Sequence, residues 1–203
     1  MSSLDTSSGD LKARRGYHHG NLKEALLEAA RRLTGERGPH GFTLAEVARL
    51  AGVSPSAPYR HFKDRDALLA ELRRRGFAQF GTRLAQAARK GGAKDGLMGM
   101  GHAYLDFARG EPGYYGAMFA WREKQGPEPQ SGEDPFDMLV AAIAGLLPES
   151  PTRDMARLLA LEVWALSHGI AGLERAGMPP PGSGAPAPEA LLEDAVNRLL
   201  RAA

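Results

Sequence analysis

Ser56, Tyr59, Arg60, His61 and Lys63 place five polar or cationic side chains within eight residues. Hydroxyl, imidazole, guanidinium and ammonium groups set this densely can bond base edges and neutralise phosphates. Phe62 is the one large apolar anchor among them, too little for a segment whose role is only to fill a core. Pro55 suits a first helical turn, where its missing amide costs nothing. Ala57 and Pro58 are small apolar groups suited to thymine methyl contact.

Such a set recognises DNA only if a scaffold holds it outward. The preceding residues supply one. Thr43 can cap a helix with its hydroxyl, and Glu46 stands three residues on, where its carboxylate reaches back to the Thr43 amide. Leu44, Val47 and Ala48 give that helix one apolar stripe. Gly52 ends it, because glycine enters the left-handed region without a Cβ clash. Val53 points inward, Ser54 can cap the next element, and a second helix is expected from Pro55 onward. Two short helices joined by a glycine turn match the helix-turn-helix unit, whose second helix enters the major groove.

Composition sets the surroundings. The chain has 203 residues, 43% of them hydrophobic, and few β-branched residues among many Ala, Leu, Arg and Glu, so an all-α fold is expected. There is no cysteine, which removes disulfides and thiolate chemistry. The N-terminus has no apolar core of the kind export signals carry, and the run Met138 to Leu147 is too short to span a bilayer. A cytoplasmic protein with no membrane partner is expected. The net charge of +2 hides an asymmetry: residues 1–75 hold 14 Lys+Arg against 9 Asp+Glu, leaving the remainder acidic. The basic part contains the hairpin, the sign that phosphate contact requires.

Three parts follow: a basic-ended tail over residues 1–16, a helix-turn-helix domain over 17–65, and a helical domain over 66–203. A first helix begins near Asn21, and the GERGPHGF segment should break it and fold Phe42 back onto the core. Asp64 caps a long helix that acts as a connecting rod. Beyond it the chain carries aromatic and polar groups at helical spacing: Tyr104, Phe107, Tyr114, Met118, Phe119, Trp121, Trp164 and His168. An apolar cavity with a few polar groups would suit a small-molecule effector. Ala165, Gly169, Gly172 and Ala176 form a stripe of small residues on one helix, and Leu192, Val196 and Leu199 form an apolar face on the last. Two such helices from each of two chains would make a four-helix homodimer interface.

Catalysis is not expected. Ser167 and His168 diverge by about 100° on a helix and cannot act as nucleophile and base alone. Phosphate loop, zinc motif and dinucleotide fingerprint are all missing from the sequence. His18 and His19 are adjacent and diverge, so no metal site and no cofactor are expected.

YHHGNL, FTLAEVARLAGVSPSAPYRHF and FKDRDALL together resemble the TetR family of one-component transcriptional regulators, with Arg65 where the family pattern has lysine. Trp164, His168 and Gly169 look like the Trp-His-Gly signature of one subgroup's regulatory domain. The resemblance implies about nine helices, an N-terminal three-helix DNA-binding domain, and a C-terminal ligand and dimer domain. It also implies that Thr43, Ser56, Tyr59 and His61 contact backbone or base edges and that Arg65 holds a phosphate. The expected function is therefore a homodimeric regulator of a palindromic double-stranded operator, released by a small apolar or amphipathic molecule. A constitutive binder whose second domain only dimerises is the alternative.

Overall fold

The structure, a computed structural model, describes residues 22–120, 134–147, 152–180 and 182–202. The tail, Tyr17 to Asn21 with both adjacent histidines, and Trp121 lie outside the described residues. Among the described residues all regular structure is helical: α1 (Leu22–Arg37), α2 (Leu44–Leu50), a 3-10 turn (Ala57–Arg60), α3 (Arg65–Ala88), α4 (Ala93–Gly110), α5 (Pro112–Met118), α6 (Pro135–Ala144), α7 (Arg153–Arg175) and α8 (Pro188–Ala202). Eight α-helices and one 3-10 turn match the all-α expectation of about nine elements.

Two hydrophobic cores form, and α3 runs through both. The head core gathers Leu26, Ala30 and Leu33 of α1, Leu44 and Val47 of α2, Phe42, Phe62, and Leu68, Leu69 and Leu72 of α3. The body core gathers Phe80 and Leu84 of α3 with Met100, Tyr104 and Phe107 of α4, Leu139 and Ile143 of α6, Val163 and Ile170 of α7, and Leu192 and Val196 of α8. The i, i+4 spacing from Leu68 through Leu72 and Gly76 to Phe80 and Leu84 keeps one face of α3 buried along most of its length. Asp64 caps this rod, accepting from the Ala67 amide at 2.8 Å.

Charge ties α1 to α3 on the other side. Glu71 accepts from Arg74 at 2.9 Å and from Arg75 at 3.0 Å, with Lys23 3.7 Å away, and Arg75 also grips Glu24. The Arg74 hydrogen bond, aided by Arg75, holds the Glu71 carboxyl down to about 2.

Head and body meet through the short helix α5. A Cβ on Gly113 would lie 2.1 Å from the Arg31 carbonyl oxygen, so only glycine lets α5 lie backbone to backbone on α1. Gly35, expected to break the first helix, instead stays within α1, against the Gly113 amide and Pro112. A helix can carry glycine where a neighbouring backbone fills the space of the missing side chain. Gly76 of α3 similarly makes room for Met118, and Arg73 donates to the Met118 carbonyl. Glu111, at the start of α5, accepts from Arg31 at 3.3 Å and from Arg83 at 3.1 Å.

Candidate nucleic-acid interface and body cleft

The capping box at α2 forms as the spacing predicts. The Glu46 amide donates to Thr43 Oγ1 at 3.3 Å, and the Thr43 amide donates to Glu46 Oε2 at 2.9 Å. Arg37 adds a bond to Glu46 Oε1 at 2.9 Å. Hydrogen bonds from the Thr43 amide and hydroxyl, then from Arg37, lower the Glu46 carboxyl below its ordinary range. Gly52 takes φ +72°, and the Val53 amide returns to the Ala48 carbonyl at 3.0 Å, closing the turn.

The second element departs from expectation. It is a single 3-10 turn over Ala57–Arg60 instead of an α-helix. Pro58 has no amide to bond the Ser54 carbonyl, which instead accepts from the Ala57 amide at 3.0 Å. The Pro58 carbonyl then accepts from both His61 and Phe62 amides at 2.9 Å. Ser54 gives no cap; its hydroxyl lies 3.2 Å from that of Ser56. Ala57 and Pro58 are buried with Phe62, so neither meets a thymine methyl: they anchor the turn.

With that anchor inward, the rest of the turn faces solvent. Tyr59 is 63% exposed, and Pro55, Ser56, Arg60, His61, Lys63 and Thr43 are exposed around it. Arg60 and Lys63 have no ion-pair partner among the described residues. The same holds for Arg49, exposed near the end of α2, which sequence pattern missed because any helix carries such a residue. Arg65 begins α3 with Nη2 3.7 Å from Asp66, and its buried Nε lacks an acceptor among the described residues.

In the body, the expected pocket residues divide. Phe80 meets Tyr104 and Phe107 edge to face at 5.2 Å and Trp164 at 5.8 Å, while Phe119 packs at 4.9 Å on Tyr115 and 4.6 Å on His168. His168 Nδ1 lies 2.8 Å from the Tyr115 hydroxyl and 3.0 Å from that of Tyr104. Burial raises both phenol pKa values and lowers that of His168, which favours the uncharged form of each. Phe107 and Met118 are core packing, and Tyr114 packs between the two cores with the Arg31 guanidinium 5.7 Å over its ring.

A narrow cleft of about 20 Å³, partly open to solvent, lies instead between α3, α4, α6, α7 and α8. Of the expected set, Tyr104 and Trp164 line it. The other walls are aliphatic, among them Leu84, Leu97, Met100 and Val163, with His102 and Glu193 as polar members. Aliphatic residues at helical spacing look the same in sequence whether they line a space or fill a core.

The small-residue stripe of α7 is exposed at Ala165, Gly169, Gly172 and Ala176, and a Cβ on either glycine would touch nothing within 4 Å. Leu158, Leu161 and Leu173 on the same helix are 59%, 55% and 53% exposed, joined by Met155. The α8 residues correct the expectation: Leu192 and Val196 are buried in the chain's own core, and Leu199 packs on it. Their apolar face covers α4 and α7, helped by Gly101, whose missing Cβ would lie 2.8 Å from Leu192.

A capped helix, a glycine turn and an outward polar element on a three-helix head define a helix-turn-helix DNA-binding regulator. The chain belongs to the TetR family. The family described as "Bacterial regulatory proteins, tetR family" matches residues 26–72, and "Tetracyclin repressor-like, C-terminal domain" matches residues 97–199. The chain is 30% identical over 98 residues to the uncharacterized HTH-type transcriptional regulator YobS of Bacillus subtilis, a match spanning 48% of this chain and 51% of that relative. A protein of unknown function from Rhodococcus sp. RHA1 superposes with TM-score 0.74 at 31% identity, over 93% of this chain and 98% of the other. AibR, solved with isovaleryl coenzyme A and operator DNA, shares the fold with TM-score 0.61 at 18% identity, over 88% of this chain and 97% of its own. No described helix is long and apolar enough to cross a membrane, and no metal-ligating cluster occurs among the described residues.

Proposed function

We propose that this regulator is a homodimeric repressor that binds a near-palindromic operator with two copies of the Ser56–Lys63 turn and leaves it when a small molecule enters the body. The outward turn carries the proposal: Tyr59 and His61 exposed above a buried Pro58–Phe62 anchor, with Arg49, Arg60 and Lys63 left unpaired for phosphates. The α7 stripe joins the two bodies, because a run of exposed leucines beside glycines otherwise faces water. Binding of both an acyl coenzyme A and an operator by AibR supports an effector in the same fold.

Coupling runs through α5, whose Tyr114 packs against both cores and whose Tyr115 is buried in the body core. Tyr114 lies under Arg31 of α1, and Tyr115 bonds His168 in the body. An effector that shifts the body cluster would move α5 and with it α1 and α3, changing the spacing of the heads. A constitutive binder is favoured only by the Tyr104–Tyr115–His168 cluster, whose two hydroxyls and His168 Nδ1 already lie within hydrogen-bond distance of one another.

Fluorescence anisotropy with duplexes from the DNA flanking the gene tests the proposal. Sequence-selective binding is expected, with log K falling against log salt at a slope of about −5 if three cations per chain each displace a counterion in a dimer. Salt-insensitive or unselective binding would end it.

A further inference from the structure

We infer that Glu111 is the positioning residue that sets the angle of the head on the body, and with it the half-site spacing that the paired regulator accepts. The angle stands on the geometry alone, and the spacing rests on the regulator reading above. Glu111 is the single residue between α4 and α5, where a carboxylate would ordinarily cap the free amides of the new helix. It gives no such cap. Its two oxygens are turned to guanidiniums instead, Oε2 to Arg31 at 3.3 Å and Oε1 to Arg83 at 3.1 Å.

The two arginines belong to different regions. Arg31 is on α1 of the head, where it also donates to Glu28 at 2.8 Å. Arg83 stands between Phe80 and Leu84 of the body core, with its guanidinium 5.1 Å over the Phe107 ring. Among the described residues its one ion pair is with Glu111. Each cation is therefore held in its own region, and the Glu111 carboxylate is the charge that joins them. Glu111 is 21% exposed, so solvent and salt screen it less than they would at an open surface. Without the carboxylate the two guanidiniums face each other, and their repulsion acts directly on the joint between head and body. The other contacts of α5 with the head, Gly113 on the Arg31 carbonyl and Met118 against Gly76, set how closely the helix approaches. Neither involves the body segment of α3 where Arg83 stands.

Spin labels at Tyr59→Cys in the head and Ala190→Cys on the exposed side of α8 measure the angle within one protomer, once labelled chains are diluted with unlabelled protein. One narrow distance is expected for the parent chain. Glu111→Gln should broaden or displace it with helix content unchanged, and Arg83→Gln should do the same. The two substitutions together should go no further than either alone, because both break one link. Operator binding is read on chains that keep Tyr59. Moving the half-sites apart by a base pair should weaken binding of the parent by about fivefold or more, and Glu111→Gln should lose most of that discrimination. An unchanged distance in Glu111→Gln, additive effects in the double variant, or undiminished spacing discrimination would each overturn the inference. If the parent chain binds no operator selectively, the regulator reading fails, while the distances still decide whether Glu111 sets the angle.

Discussion

The head and the body of this chain handle polar groups in opposite ways. The head buries a mostly aliphatic core and turns Tyr59, Arg60, His61 and Lys63 to solvent. The body draws Tyr104, Tyr115 and His168 inside, bonds them to one another, and exposes Leu158, Leu161 and Leu173. An outward cationic turn suits a polyanion, whereas an outward leucine stripe suits another apolar surface. The two regions therefore recognise different partners although the single helix α3 runs through both cores.

The largest effect should come from emptying the body. Phe80→Ala removes a fully buried ring that meets Tyr104, Phe107 and Trp164, and should lower stability by about 3–5 kcal/mol in denaturant unfolding. Leu158→Glu attacks the body's surface instead. Sedimentation velocity should show a dimer dissociating at least a hundredfold more readily, roughly 3 kcal/mol, with unchanged helix content. An unaltered assembly would remove α7 from the interface.

Acid should strike the head in turn. Glu71 is lowered from 4.5 to about 2, chiefly by Arg74, so its stabilisation is complete above its unfolded value and is lost as pH falls toward 2. Because Arg74 is half exposed, about 2 kcal/mol is expected over that window. Glu71→Gln should flatten the acid limb of the melting curve. The smallest effect belongs to Tyr59→Ala, which should weaken operator binding about tenfold, roughly 1–2 kcal/mol, and leave the dimer intact. Undiminished affinity would mean that the head docks by another surface.

What the sequence made legible was local. Thr43 with Glu46, Gly52 after α2 and Asp64 before α3 each act within four residues, and each forms as the spacing predicts. The misses depend on distant partners. By sequence Pro58 suits an early helical turn, yet the structure buries it together with Ala57 and closes a 3-10 turn there. Gly35 looks like a breaker until Gly113 lies against it. An apolar face such as Leu192 to Val196 does not say whether its cover is the same chain or a second one, and here the first is the answer. The cleft was invisible because its walls are ordinary core residues.

The central claim is that two heads present the Tyr59 turn at groove spacing from one paired body. The chain contains no cysteine, so Tyr59→Cys gives a single attachment site per protomer for a spin label. Pulsed electron resonance on the labelled protein bound to operator duplex should give one narrow distance near the ~34–36 Å that separates successive major-groove faces. A broad distribution far from that spacing, or no interprotomer distance at all, would contradict it.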